Sequence, residues 1–151
     1  MLSFSYPAIL RREKTGGYYL SFPDVPGANT GDEDREDTLA GAADCLAVAL
    51  ETYMEQKRDI PLPSKPKKGE CLIEVPLELA MKIAVYQTMR DARVSQAELA
   101  RRMKIPETRV RRILDPHRAT SAEIIEQALS RLGKTARLRV DEEREPMAAA
   151  R

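Results

Sequence analysis

Between Ser95 and Ala119 the chain reads SQAELARRMKIPETRVRRILDPHRA, a stretch whose polar residues suit the grip of phosphate and base edges rather than the breaking of bonds. Arg101, Arg102, Arg109, Arg111 and Arg112 each offer a planar, permanently charged fork that matches a phosphate or the edge of guanine. Gln96 and Thr108 add neutral hydrogen-bonding groups, and Glu107 adds an acceptor for a cytosine amine. Ser95 and Glu98 have the spacing of a capping box, which starts a helix at a defined residue. Leu99, Ala100 and Met103 then share one face, Ile105 falls in a turn, and Val110, Ile113 and Leu114 give a second helix its own apolar stripe. Two short helices over one small core are the layout of a helix-turn-helix DNA reader. In that layout Glu107, Thr108, Arg109 and Arg112 reach base edges, Arg111 shares their solvent face, and Gln96, Arg101 and Arg102 lie nearer phosphate.

The charge distribution supports a double-stranded DNA partner for this half of the chain. Residues 76–140 hold 14 Lys/Arg against 7 Asp/Glu, net +7, whereas residues 1–63 hold 6 against 11, net −5. A basic footprint confined to the segment with the helix-turn-helix pattern is what phosphate neutralisation requires, and an acidic first half must bind something else. With 151 residues, no Trp, two Phe and a 42% hydrophobic fraction, two small cores are expected, with self-association adding burial. The opening MLSFSYPAIL lacks a basic start and a long apolar run, so neither a leader nor a membrane span is expected and the chain reads as cytoplasmic. Cys45 and Cys71 are widely spaced single residues, which argues against a disulfide framework or a zinc site.

The elements that must carry these residues follow from periodicity. Tyr6–Arg12 and Gly17–Phe22 are rich in β-formers across a KTGG link, which predicts an antiparallel hairpin. A Pro- and Gly-rich turn follows, and Ala28–Thr30 predicts a third strand. Leu39, Ala43, Leu46, Leu50 and Tyr53 recur every three or four residues, which predicts one long helix from about Asp34 to Arg58. CLIEV after a Pro/Lys-rich loop completes a β-β-β-α-β domain over residues 1–75. Pro76 opens a further helix, Ser121 caps another, and Gly133 stops it. In TARLRV, Ala136, Leu138 and Val140 alternate with charged residues, which predicts a C-terminal strand paired with a second copy. The helix-turn-helix and dimerisation domain is thus expected over residues 76–140, and residues 141–151 as a flexible tail.

The residues now carry a resemblance. YPAILRREKTGGYYLSFPDVPG, with Gly31-Asp32 before an Ala-rich helix, resembles the first domain of the HicB-type antitoxins, partners of HicA-type toxins. ELAMKIAVYQTMRDARVSQAELARRMKIPETRVRRILDPHRATSAEIIEQALSRLGKTARLRV resembles that family's phage-repressor-like second domain. The resemblance implies an α+β chain with a partial ribonuclease-H-like first domain that blocks a small mRNA-cleaving toxin protein, and a second domain that represses the shared operon. It implies a dimer or tetramer and no cofactor. A basic toxin calls for complementary charge, so Tyr19, Asp24, Asp32 and Asp34 at the acidic helix start are the expected toxin-facing residues.

Two positions depart from the family pattern: Lys104 stands where the turn usually has Gly, which predicts a left-handed lysine, and Pro106 replaces the Ser or Thr that usually starts the recognition helix. Two other classes of function stay open on sequence. One is a transcription regulator whose first domain senses a small molecule. The other is a metal-dependent, ribonuclease-H-like nuclease, for which several carboxylates must converge on divalent ions. Asp24, the run Asp32–Asp37 and Asp44 show no such ligand pattern, and His117 is the only histidine, so no nucleophile–base pair is evident and neither a catalytic nor a metal site is assigned.

Overall fold

The computed structural model describes residues 1–142; the rest of the tail expected over residues 141–151 lies outside the described residues. The chain is mixed α and β and divides into two compact units, Met1–Pro76 and Leu77–Asp141.

In the first unit, β1 (Ser5–Arg12), β2 (Tyr18–Ser21), β3 (Asn29–Asp32) and β4 (Cys71–Glu74) form one antiparallel sheet in the order β3-β2-β1-β4. β1 is paired in two halves: Ile9–Arg12 face β2, and Ser5–Ala8 face β4. Pro7 therefore lies where the strand has a neighbour on one side only, so its missing N–H removes no bond to β2. Because opposed residues share a face, Tyr6, Ala8, Leu10, Leu20, Cys71 and Ile73 form the inner face, and all but Leu10 are buried. The third strand begins at Asn29 rather than Ala28, because the Ala28 N–H is taken by Val25 O at 3.0 Å in the preceding turn.

The single long helix is corrected to two, α1 (Arg35–Ala40) and α2 (Ala42–Glu55), divided at Gly41. Glycine is the least helix-favouring residue after proline, and the Gly41 N–H closes α1 on Asp37 O at 3.0 Å while its carbonyl starts α2 through the Cys45 N–H. The buried stripe of α2 is Ala42, Leu46, Leu50 and Met54, a strict i,i+4 row. Tyr53 stays at the rim, where the Arg58 guanidinium lies 4.3 Å from its ring centre.

The second unit contains α3 (Leu77–Asp91), α4 (Gln96–Met103), α5 (Glu107–Leu114) and α6 (Ala122–Arg131). Its core joins Val85 and Met89 of α3, Leu99 and Ala100 of α4, Val110 and Ile113 of α5, and Ile125, Ala128 and Leu129 of α6. Among the described residues four helices end the same way: the N–H of residues 58, 94, 105 and 134 returns to the carbonyl five residues earlier, at 2.9 to 3.0 Å, across a left-handed residue. Gly133 fills that position after α6, as its sequence indicates, but Lys57, Arg93 and Lys104 fill it elsewhere with φ of 55°, 54° and 57°. The left-handed Lys104 is as anticipated. Each of the three basic residues costs about 1 kcal/mol in backbone strain, which its charge at a helix C-terminus partly offsets.

The C-terminal strand is expected to form against a second copy, and a single chain offers none. Residues 134–142 have no regular secondary structure, since a strand needs a ladder partner and the second unit is otherwise helical. Leu138 and Val140 are left 73% and 86% exposed.

Candidate nucleic-acid interface

Ser95 caps α4 by accepting the Glu98 N–H at 3.1 Å, one half of the capping box. The Glu98 carboxylate is instead engaged by two arginines: Arg102 Nε donates to it at 2.9 Å, and Arg101 pairs with its other oxygen. Arg102 also donates to Arg131 O at 3.3 Å and so ties α4 to the end of α6. Of the three residues expected near phosphate, Arg101 is the most exposed, Arg102 is half committed to the fold, and Gln96 is half-buried.

On α5 the apolar stripe is Val110 and Ile113, and Glu107, Thr108, Arg109, Arg111 and Arg112 all face solvent. Pro106 precedes the helix in an extended conformation and makes no side-chain cap. Arg111 and Glu107 pair one turn apart at 4.0 Å, so the two partly satisfy each other. Arg109 and Arg112 make no ion pair among the described residues. Both line a shallow depression of about 480 Å³ with Thr108, Ile113, Thr120, Ser121 and Ile124. Free guanidiniums beside a concave surface are suited to a bidentate acceptor such as guanine or phosphate.

The loop after α5 is ordered by its own polar groups. Asp115 accepts the His117 N–H at 2.9 Å and lies 3.8 Å from Arg118. Thr120 N–H donates to Glu78 of α3 at 3.2 Å, and Thr120 Oγ1 accepts from Lys82 Nζ at 2.6 Å. Lys82 is fully buried, and desolvation lowers its pKa below the usual lysine range. Sequence reasoning missed Lys82 and Glu78. The available signal was a lysine within an apolar stripe, three residues after Leu79 and one before Ile83.

In the first unit the four expected toxin-facing residues do not converge. Tyr19 lies on the outer face of β2 opposite Gly31, and neighbouring Asp32 ends β3 by accepting the Glu33 N–H at 2.6 Å. Asp34 is exposed at the start of α1, where its backbone carbonyl accepts from Thr38. Asp24 belongs to the turn at the opposite end of the β2–β3 pair, about 13 Å away at the usual rise of a strand. Its carboxylate accepts the Ser64 N–H at 2.8 Å and the Ser64 hydroxyl at 3.0 Å, so it pins the Pro-rich loop that leads to β4. Beside it the buried Tyr6 hydroxyl donates to Pro61 O at 2.7 Å. Cys45 and Cys71 are free thiols, and among the described residues no group of three or more His, Cys, Asp or Glu could hold a metal ion. No helix among them is long and apolar enough to cross a membrane.

Residues 5–84 match the family described as the HicB-like antitoxin of bacterial toxin-antitoxin systems, and residues 76–123 match the CENP-B N-terminal DNA-binding domain. Among curated proteins, the chain is 40% identical to Antitoxin HicB 2 of Photorhabdus laumondii, over 85% of this chain and 91% of that protein. It is 36% identical to Antitoxin HicB of Escherichia coli, over 85% and 94% of the two chains. A third relative, Antitoxin HicB of Pseudomonas fluorescens, is 30% identical over 91% of this chain and 94% of its own. With a family match across residues 5–84 and relatives aligned over nearly their whole length, the chain belongs to the HicB-like antitoxins of bacterial toxin-antitoxin systems.

Proposed function

We propose that this chain neutralises a small mRNA-cleaving toxin of the HicA type through residues 1–75 and represses its own operon through residues 76–140. The DNA half is carried by one observation: Arg109 and Arg112 lie on the exposed face of an eight-residue helix without ion-pair partners among the described residues. The toxin half is supported by the names of the relatives and by the acidic balance of the first unit. Glu107, Thr108, Arg109 and Arg112 are read as base contacts, and Gln96, Arg101 and Arg102 as phosphate contacts. The toxin-facing surface is centred on Tyr19, Asp32 and Asp34, with Asp24 as the latch that holds the neighbouring loop.

The first unit is read as a truncated, non-enzymatic ribonuclease-H-like domain. Its carboxylates serve the fold instead of converging: Asp24 holds Ser64, and Asp32 holds a backbone amide. Self-association into a dimer or tetramer is assigned to residues 135–140, where exposed Leu138 and Val140 alternate with arginines. The neighbouring gene should encode a small basic protein whose induction arrests growth, and co-expression of this chain should restore growth. The purified chain should retard the DNA upstream of its own gene and not a scrambled duplex of equal length. Absence of rescue sinks the toxin half, and equal retardation of both duplexes sinks the repressor half.

A further inference from the structure

Lys82 has no solvent exposure, yet it lies on a helix of a unit that is already basic. A buried ammonium survives only where hydrogen bonds replace its water. Lys82 Nζ donates to Ile113 O at 2.9 Å and to Thr120 Oγ1 at 2.6 Å, with Arg112 O at 3.5 Å. Two of these three acceptors are carbonyls in the last turn of α5, where the negative end of the helix favours a cation. One turn earlier on α3, Glu78 accepts the Thr120 N–H at 3.2 Å. Glu78 and Lys82 therefore hold both the end of α5 and the backbone that enters α6. Ile113 and Thr120, which Lys82 grips, also line the depression beside Arg109 and Arg112.

An eight-residue helix with a narrow buried stripe can roll about its own axis unless its ends are fixed. The N-terminal end of α5 has no side-chain cap, whereas its C-terminal end is held by the Lys82 side chain as well as by core packing. We propose that Lys82 is a positioning residue for DNA reading: its grip on the α5 carbonyls and Thr120 fixes the direction in which Arg109 and Arg112 leave the helix. The inference rests on the repressor reading above. Base readout depends on side-chain placement to a fraction of an ångström, whereas phosphate contacts tolerate a small roll. Loss of the clamp should therefore lower discrimination more than general DNA affinity.

The test compares binding of the full-length protein to a labelled duplex from upstream of its own gene and to a scrambled duplex of equal length. Lys82→Met keeps the volume of the stem and removes the donors. Expected is a preference for the upstream duplex reduced about tenfold, with affinity for the scrambled duplex and the salt slope nearly unchanged. Thr120→Val, which removes one acceptor at the edge of the core, should give a smaller loss of preference in the same direction. A folded Lys82→Met protein that keeps the full preference overturns the inference. If Lys82→Met does not fold, Thr120→Val and Glu78→Met, which removes the acceptor of the Thr120 N–H, decide, and retention of the preference in both overturns it equally. Wild-type protein that does not discriminate between the duplexes removes the repressor reading, and this inference with it.

Discussion

Each unit pins a loop with one buried polar side chain from a core element, but the two anchors differ in charge. In the first unit the Tyr6 hydroxyl, from the middle of the sheet, holds Pro61 O in the loop before β4. In the second unit the Lys82 ammonium, from the middle of α3, holds Ile113 O and Thr120 in the segment between α5 and α6. The acidic unit uses a neutral donor, and the basic unit buries a cation. Net charge does not explain that choice, but the acceptor does. Pro61 offers a single peptide oxygen in an extended loop, for which one neutral donor suffices. Ile113 and Arg112 offer aligned carbonyls at a helix C-terminus, where partial negative charge accumulates and a cation is favoured. The polarity of a buried anchor follows the local field of what it anchors.

The largest effects that sharpen this contrast lie at the surface of the second unit. Arg109 and Arg112 make no ion pair among the described residues and are available to an outside acceptor. Arg109→Ala and Arg112→Ala should each weaken binding to the upstream duplex by about 1 to 3 kcal/mol and relax base preference. Arg101→Ala should instead weaken all duplexes alike and shallow the salt dependence by about one counterion. Fluorescence anisotropy on upstream and scrambled duplexes across a salt series separates the two classes. Equal losses on both duplexes for Arg109→Ala and Arg112→Ala would mark them as phosphate contacts.

Next in size is the neutral anchor. Tyr6→Phe keeps the ring in the core and leaves Pro61 O without its donor, at a cost of about 1 kcal/mol to the first unit. Chemical unfolding should show that loss, and reaction of the buried Cys71 thiol should accelerate with it because Cys71 is in the same sheet. Unchanged stability and unchanged Cys71 reactivity would mean that Pro61 O finds water as readily as it finds Tyr6.

The smaller backbone effects expose what sequence can and cannot convey. The apolar periodicities of α4, α5 and α6 are local, and the burial of Leu99, Val110, Ile113 and Ile125 follows them. The left-handed turn at Lys104 was legible too, because Lys104 stands where the resembled family usually has glycine. Three things were not legible. The break at Gly41 was hidden because apolar residues continue on both sides of it, so one period fits either one helix or two. Lys82 reads as a stray charge until tertiary packing brings helix-end carbonyls and Thr120 to it. Asp24 reads as a surface acid because its partner, Ser64, lies 40 residues away in sequence. Side chains that serve long-range hydrogen bonds leave no periodic trace.

Lys104→Gly tests the legible part. Glycine adopts the left-handed conformation without a Cβ penalty, so the substitution should raise the stability of the second unit by about 1 kcal/mol, less the lost cation at the end of α4. Thermal unfolding of the full chain measures it. A destabilised Lys104→Gly protein would mean that the charge outweighs the strain at this turn.

The subtlest prediction concerns alkaline pH, where the two anchors should respond in opposite directions. Burial, and secondarily the charge of Asp24, pushes the Tyr6 phenol well above its ordinary value of 10.0. A group with a raised folded-state pKa contributes stability that is complete below the unfolded value and declines as pH rises past it, so the Tyr6 contribution should fall above pH 10.0. Lys82 is the reverse case. Desolvation lowers its pKa from 10.5, while the carboxylates of Glu78 and Asp115 oppose the shift. The unfolded chain then binds more protons than the folded one over the interval just below 10.5, so the Lys82 contribution should rise with pH across that interval. Urea unfolding of wild type, Tyr6→Phe and Lys82→Met from neutral pH to about pH 11 isolates each group, because each variant lacks one of the titrations. The difference between wild type and Tyr6→Phe should shrink at the top of that range. The difference between wild type and Lys82→Met should shift in favour of wild type as pH approaches 10.5. If both differences stay flat, the two anchors titrate as exposed groups do, and the contrast between a neutral and a charged anchor has no energetic content.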